Sequence, residues 1–152
     1  MVSQNNVVIT RFSAAHIPQV AQIERNTFSE PWSENSLALL CTEEYPSFVL
    51  TDEDGEVLGY VSTAKALDEL QMINLAIKAD CRGRGFAKLL LSALDDFCQA
   101  VGIESVSLEV RESNAAAISL YEKLGYEKVG LRRGFYRLPP ENAVIMVKKQ
   151  KI

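Results

Sequence analysis

Six residues in the middle of the chain, Arg82-Gly83-Arg84-Gly85-Phe86-Ala87, have the composition of an anion cradle. Two glycines flanking a single residue allow a tight turn that exposes backbone N–H groups. A helix starting at that turn adds further unpaired N–H groups and the positive end of its dipole. Together they make a site for a phosphate or pyrophosphate. Arg82 and Arg84 bring charge that also reaches phosphate oxygens. Taken alone, the loop also reads as a glycine-rich surface turn whose arginines serve solubility.

Two familiar phosphate loops do not fit. The dinucleotide fingerprint G-x-G-x-x-G needs its third small residue later than Ala87, and it belongs to a first βα unit rather than to mid-chain. The P-loop needs Gly-Lys-Ser or Gly-Lys-Thr, and neither occurs. Other chemistry is sparse. His16 is the only histidine, in a predicted first helix far along the chain from the loop, so catalysis has to run without a histidine-based dyad or triad. Cys41, Cys81 and Cys98 are odd in number and lack C-x-x-C spacing. They predict reduced thiols and no bound metal.

The loop needs a strand before it and a helix after it. Glu69 to Lys78 predicts the strand. By alternation Leu70 and Met72 share one face and Ile73, Leu75 and Ile77 the other, a change of phase that implies a β-bulge or burial on both faces. Phe86, Leu89, Leu90, Ala93, Leu94, Phe97 and Val101 recur at helical spacing and predict a helix that Gly102 ends in a left-handed conformation.

The other elements follow the same cues. Val7 to Phe12 predicts a strand. Ala14 to Phe28 predicts a helix with Ile17, Val20, Ala21, Ile23, Glu24 and Phe28 near helical spacing and Pro18 in its first turn. Ser33 caps a second helix to about Cys41. Ser47–Thr51 and Glu56–Ala66 form a hairpin around Asp52-Glu53-Asp54-Gly55. Val106, Leu108 and Val110 point to one face of a later strand, with Ser107, Glu109 and Arg111 on the other. Asn114 or Ser113 caps a short helix through Leu124, with Ala117, Leu120, Tyr121 and Leu124 as its apolar stripe. Tyr126–Leu131 and Ala143–Lys148 predict the last strands, with Arg132 to Pro140 between them. The order β-α-α-β-β-β-α-β-α-β-β predicts an α/β (α+β mixed) fold with a mixed sheet and helices on both faces.

A chain of 152 residues with 47% apolar and 24% charged residues is expected to form one domain, 1–152, with a real core. A net charge of −4 argues against direct nucleic-acid binding and is compatible with an amine-bearing substrate. No apolar run reaches the roughly 18–20 residues of a membrane span. Met1 to Thr10 has neither the positive start nor the apolar core of a signal peptide, so a cytoplasmic protein is expected.

Element order and loop together resemble the GNAT superfamily of acetyl-CoA-dependent N-acetyltransferases. Arg82, Gly85 and Ala87 match that family's pyrophosphate motif Gln/Arg-x-x-Gly-x-Gly/Ala, with Ala87 in place of the commoner glycine. Leu108 to Tyr126, Leu-Glu-Val-Arg-Glu-Ser-Asn-Ala-Ala-Ala-Ile-Ser-Leu-Tyr-Glu-Lys-Leu-Gly-Tyr, resembles the ribosomal-protein-alanine N-acetyltransferase (RimI) type nearly position by position. Phe28-Ser29-Glu30-Pro31-Trp32-Ser33 matches that type's Phe-x-x-Pro-Trp-Ser element. Arg132-Arg133-Gly134-Phe135-Tyr136 resembles its Arg-Arg-x-Tyr-Tyr, with Phe135 replacing one tyrosine. The resemblance covers essentially the whole chain.

The resemblance implies a mostly antiparallel sheet of about seven strands, splayed where coenzyme A binds. It implies acetyl-CoA as cosubstrate, held by Arg82, Gly83, Arg84, Gly85, Phe86 and Ala87 at the pyrophosphate, by Leu75, Ala76 and Ile77 along the pantetheine arm, and by Asn114. It carries the catalytic glutamate onto Glu109 as general base and the general acid onto Tyr121. Trp32 and Tyr136 are the candidates for the substrate pocket. On their own, Glu109 also reads as an ion-paired strand residue, Asn114 as a plain helix cap, and Trp32 and Tyr136 as packing. The implied reaction moves acetyl to the N-terminal α-amine of a protein, an alanine at the start of a small-subunit ribosomal protein, by a monomer or weak dimer. The competing expectations are a GNAT enzyme acting on a small amine or a lysine side chain, and a non-catalytic acyl-CoA-binding module.

Overall fold

The structure, a computed structural model, describes residues 6–151. The reading of Met1 to Thr10 therefore falls partly outside the described residues. Seven strands form a single sheet in the order β1-β2-β3-β4-β5-β7-β6. They are β1 (Val8–Arg11), β2 (Phe48–Thr51), β3 (Val57–Ala66), β4 (Glu69–Ile77), β5 (Ser105–Arg111), β6 (Glu127–Arg137) and β7 (Pro140–Lys149). The helices are α1 (Ile17–Thr27), α2 (Glu34–Leu37), α3 (Phe86–Val101) and α4 (Ala115–Lys123). Every ladder is antiparallel except β4–β5. None of the described helices is long and apolar enough to cross a membrane.

Each face of the sheet buries its own core. Val49, Val57 and Tyr60 meet Val20, Ala21 and Ile23 of α1 and Leu37 of α2. Phe48, Leu50, Leu58 and Val61 point the other way, onto Phe86, Leu90, Leu91 and Leu94 of α3 and Ile118 and Tyr121 of α4. Alternation along β2, and along β3 where the register shift at Leu58 resets it, places helices on both faces, as the sequence predicts. On β5 the same rule buries Val106, Leu108 and Val110 and leaves Glu109 and Arg111 on the opposite face. The α3 helix spans its predicted residues and ends at left-handed Gly102, φ 80°, although Val101 lies largely exposed.

The β-bulge predicted in β4 is present, but the face assignment that went with it is corrected, as is one further prediction. The apparent change of phase along β4 does not put Leu75 and Ile77 on a new face. The register jumps from Ser62↔Asn74 to Thr63↔Met72, so Ile73 is an extra residue, a bulge. The extra residue resets the alternation: Leu75 and Ile77 return to the core that holds Leu70 and Met72, and Ile73 packs against the other. Nor is Arg132 to Pro140 a connecting stretch. It continues β6 and β7 into a long hairpin whose register shifts between Arg132 and Tyr136.

The feature that makes room for a site is the β4–β5 pair. Its parallel register covers only Glu69–Gln71 against Ser105–Ser107. Beyond it the strands part, leaving Met72–Ile77 without β5 as a ladder partner. Because the pair is parallel, α3 and α4 both begin beyond the carboxyl ends of the parted strands, a common place for ligands in such sheets.

Candidate active site

The predicted cradle forms where β4 hands over to α3. A 3-10 turn, Ala79–Cys81, leads into Gly83 at φ 79° and Gly85 at φ 80°. A Cβ on Gly83 would meet nothing within 4 Å, so glycine is needed there for the left-handed backbone rather than for space. Gly85 is the N-cap of α3, and no side chain caps that end. The N–H groups of the first turn are thus left for solvent or an anion. Arg82 donates from Nε to the Ile77 carbonyl at 3.0 Å, and Arg84 from Nη2 to the Asp80 carbonyl at 3.2 Å. These bonds brace the turn. Phe86 is buried beneath it and Ala87 half-buried, so their side chains pack. Burial, then the Asp80 carboxylate, pushes the Cys81 thiol up, the reverse of what a nucleophile needs.

Across the parted strands, Asn114 caps α4, its Oδ1 accepting from the Ala117 N–H at 3.1 Å. Tyr121 is buried on the α3–α4 side. Its ring leans on Tyr126, centroids 5.5 Å apart, and its hydroxyl lies 3.9 Å from the Met72 sulfur on β4. Burial, with a smaller contribution from Tyr136, pushes its pKa up to about 12, so it is a proton donor across the neutral range.

Glu109 lies on the opposite face of β5. Gln71 donates from Nε2 to both of its oxygens, at 3.0 and 3.2 Å, and Arg132 pairs with it from Nε at 3.3 Å. Its side chain is only 10% exposed. The ion pair expected of a strand glutamate is thus present, and the carboxylate is oriented from two sides. Two residues on, Arg111 lies under the Tyr136 ring, 4.2 Å from its centroid. It also holds the hairpin tip through the Leu138 and Pro139 carbonyls and Glu141. Burial pushes Tyr136 up, Glu109 and Glu141 add to the rise, and Arg111 opposes it.

A cleft of about 420 Å³ opens on this face. Phe28 and Trp32 line one side, Tyr136 and Leu138 another, and Asn74 and Arg111 the strands between. The sequence-predicted pair Trp32 and Tyr136 thus shares a single cleft. Its rim is tied together by the Ser29 hydroxyl, which donates to the Leu138 carbonyl. A second cleft of similar volume lies between α1 and the turn before α3, beside the Lys78–Glu56 pair and Arg82, and neither cleft is lined by Glu109 or Tyr121.

Sequence reasoning missed the residue beneath the first cleft. Glu24 on α1 is 1% exposed. It accepts from the Tyr60 hydroxyl, from Asn74 Nδ2 at 2.8 Å and from the Trp32 N–H at 2.8 Å. Burial, and then this carboxylate, pushes the Tyr60 phenol far above its usual range. The available signal was a carboxylate in register with an apolar helix stripe. Gln71 and Arg132 were missed as partners of Glu109 because neither is near it in sequence.

A parted parallel pair with a glycine turn at a helix start and a carboxylate on the strand beyond is the site of an acetyltransferase: residues 17–126 match the acetyltransferase (GNAT) family, to which the chain belongs. Within that family it is similar to the [ribosomal protein bS18]-alanine N-acetyltransferase of Escherichia coli K12, 36% identical over 140 residues that cover 91% of this chain and 94% of that one. The crystal structure of the Escherichia coli ribosomal-protein-S18-alanine N-acetyltransferase superposes with a TM-score of 0.89 at 34% identity, covering 96% of this chain and 95% of that one. A GNAT phosphinothricin acetyltransferase from Sinorhizobium meliloti, solved with AcCoA, shares the fold at 23% identity and a TM-score of 0.81, over 95% and 89% of the two chains.

Proposed function

We propose that this acetyltransferase moves acetyl from acetyl-CoA to the N-terminal α-amine of a protein, an alanine at the start of a small-subunit ribosomal protein. The observation that carries the reading is the cleft between Trp32 and Tyr136, which opens where β4 and β5 part and lies on the Glu109 face. It is a trough for a chain end, and the similar Escherichia coli enzyme is named for such a substrate.

The residues present fit coenzyme A. Uncapped N–H groups at α3, set by left-handed Gly83 and Gly85, suit a pyrophosphate. The edge of β4 at Leu75, Ala76 and Ile77, free of β5, offers backbone groups to a pantetheine arm. Asn114 stands at the start of α4, and its side chain serves the cap and can also face the cosubstrate. Acetyl-CoA supplies an acetyl thioester as the electrophile. Glu109 takes up the proton that the attacking nitrogen loses as the C–N bond forms, directly or through water. An α-amine ionises at about 7.7–8.0, so a base of modest strength suffices. Tyr121 gives its proton to the sulfur as the C–S bond breaks. The net charge of −4 favours a free or transiently docked protein substrate in the cytoplasm over stable attachment to RNA.

The test is acetyl-CoA turnover over short peptides that differ in their first residues. Preference for alanine at the first position is expected. Activity on small amines with none on peptides would overturn the reading.

A further inference from the structure

Glu24 is a fully buried carboxylate that the acetyl-transfer steps leave without a task. Its three donors are not drawn from one element. Trp32 belongs to the segment between α1 and α2, Asn74 to the bulged strand β4, and Tyr60 to β3. Trp32 and Asn74 line the same cleft. One buried group therefore ties together two walls of the trough.

Asn74 is held unusually firmly. The Ser62 hydroxyl bonds its backbone on both sides, accepting from its N–H at 3.1 Å and donating to its carbonyl at 3.4 Å. The bulge at Ile73, immediately before it, sets the direction of its side chain. The amide end that meets Glu24 is the NH₂, which donates to Oε2 at 2.8 Å. The Asn74 Oδ1 is then the end left over. Among the described residues it accepts no hydrogen bond, and it is not a buried unsatisfied atom, although Asn74 lines the cleft. A fixed acceptor, one residue before Leu75 on the parted strand edge, suits an amine that must present its lone pair in one direction.

We infer that Asn74 is an acceptor-binding residue whose Oδ1 accepts a hydrogen bond from the incoming amine, and that buried Glu24 is the positioning residue that fixes the amide in that sense. This deepens the proposed function and rests on it. The bond uses one N–H of the neutral amine and leaves the lone pair for attack. Glu24→Gln would place an NH₂ of its own against the donors of Trp32, Tyr60 or Asn74, and so free Asn74 to turn.

Steady-state kinetics with an alanine-initiated peptide test this. In Asn74→Ala, kcat/KM for the peptide falls about tenfold or more, the scale of one well-placed hydrogen bond. KM for acetyl-CoA stays within about twofold while the melting temperature falls modestly from the donor lost to Glu24, and a loss confined to the peptide is what a merely structural role would not give. Glu24→Gln shows the same selective loss, and the double variant is little worse than either, because both act through one bond. Where Glu24→Gln does not fold, Asn74→Ala decides alone. Should the wild type use only a small primary amine, the peptide reading fails and Asn74→Ala is scored on that amine. Unchanged kcat/KM on the acceptor the wild type uses, or an equal rise in KM for acetyl-CoA, overturns the assignment. A wild type inactive on every amine overturns both.

Discussion

Glu109 and Tyr121 approach the parted strands from opposite faces of the sheet. Glu109 is ion-paired to Arg132 and hydrogen-bonded by Gln71, which hold its carboxyl group in one orientation. Tyr121 is pushed up to about 12 chiefly by burial, which keeps its proton. The proposed mechanism uses the oriented carboxyl group of Glu109 as base and the retained phenol proton of Tyr121 as acid. Glu109→Gln and Tyr121→Phe are each expected to lower kcat at least about tenfold, within the usual range for losing a proton-transfer group. Binding of acetyl-CoA, followed by calorimetry, should be nearly intact in both. Wild-type turnover in either variant removes that residue from the proton path. The Arg132–Glu109 pair is a weaker lever, since Arg132 is 56% exposed and a solvated pair contributes about 0–1 kcal/mol.

At the scale of elements, the loop between β4 and α3 depends on backbone conformation more than on side chains. Gly83→Ala forces a side chain into φ 79°, which costs on the order of 1–2 kcal/mol even with open space around it. The expected result is a several-fold rise in KM for acetyl-CoA with kcat for saturated enzyme little changed. Equal KM values for variant and wild type would mean that the loop does not hold the cosubstrate. This part of the site was legible in sequence because glycine spacing, a strand run and a helical stripe are local signals. So were the α3 boundaries, the alternation of β5 and the Asn114 cap. The bulge was legible only as a break in phase, and its consequence was misread because one extra residue restores the face that simple alternation changes. The extension of β6 and β7 through Arg132 to Pro140 was hidden by Gly134, Pro139 and Pro140, which read as loop residues. Glu24, 50 residues from Asn74, was hidden because a carboxylate on an apolar stripe declares nothing about the donors that tertiary structure brings to it.

For the whole molecule, the two cores share a liability: both are built around phenols. Tyr60 is buried between the sheet and α1, and Tyr121 and Tyr126 between the sheet and the α3–α4 layer. All three are pushed up, first by burial, and Tyr136 at the cleft follows in the same direction. A group whose pKa is raised by folding stabilises the fold while it is protonated in both states. That contribution is full below the unfolded value of about 10 and is lost as pH rises through the folded value. For Tyr121, which ionises at about 12 in the fold, the loss amounts to on the order of 2–3 kcal/mol. Lys78, raised by its Glu56 partner, contributes in the same direction from the surface. Burial also raises the Cys98 thiol, from 9.0 to about 11, so the melting temperature should begin to fall as pH approaches about 9 and fall steeply above about 10. Tyr121→Phe should flatten part of that fall while leaving the neutral value close to wild type, because the phenol hydroxyl there meets only a methionine sulfur. Differential scanning calorimetry at stepped pH measures both. A melting temperature constant through about pH 11, or an alkaline fall equally steep in Tyr121→Phe, would show that Tyr121 ionises no later in the fold than in the unfolded chain, and would remove the reason for treating its hydroxyl as a proton held in reserve for the leaving sulfur.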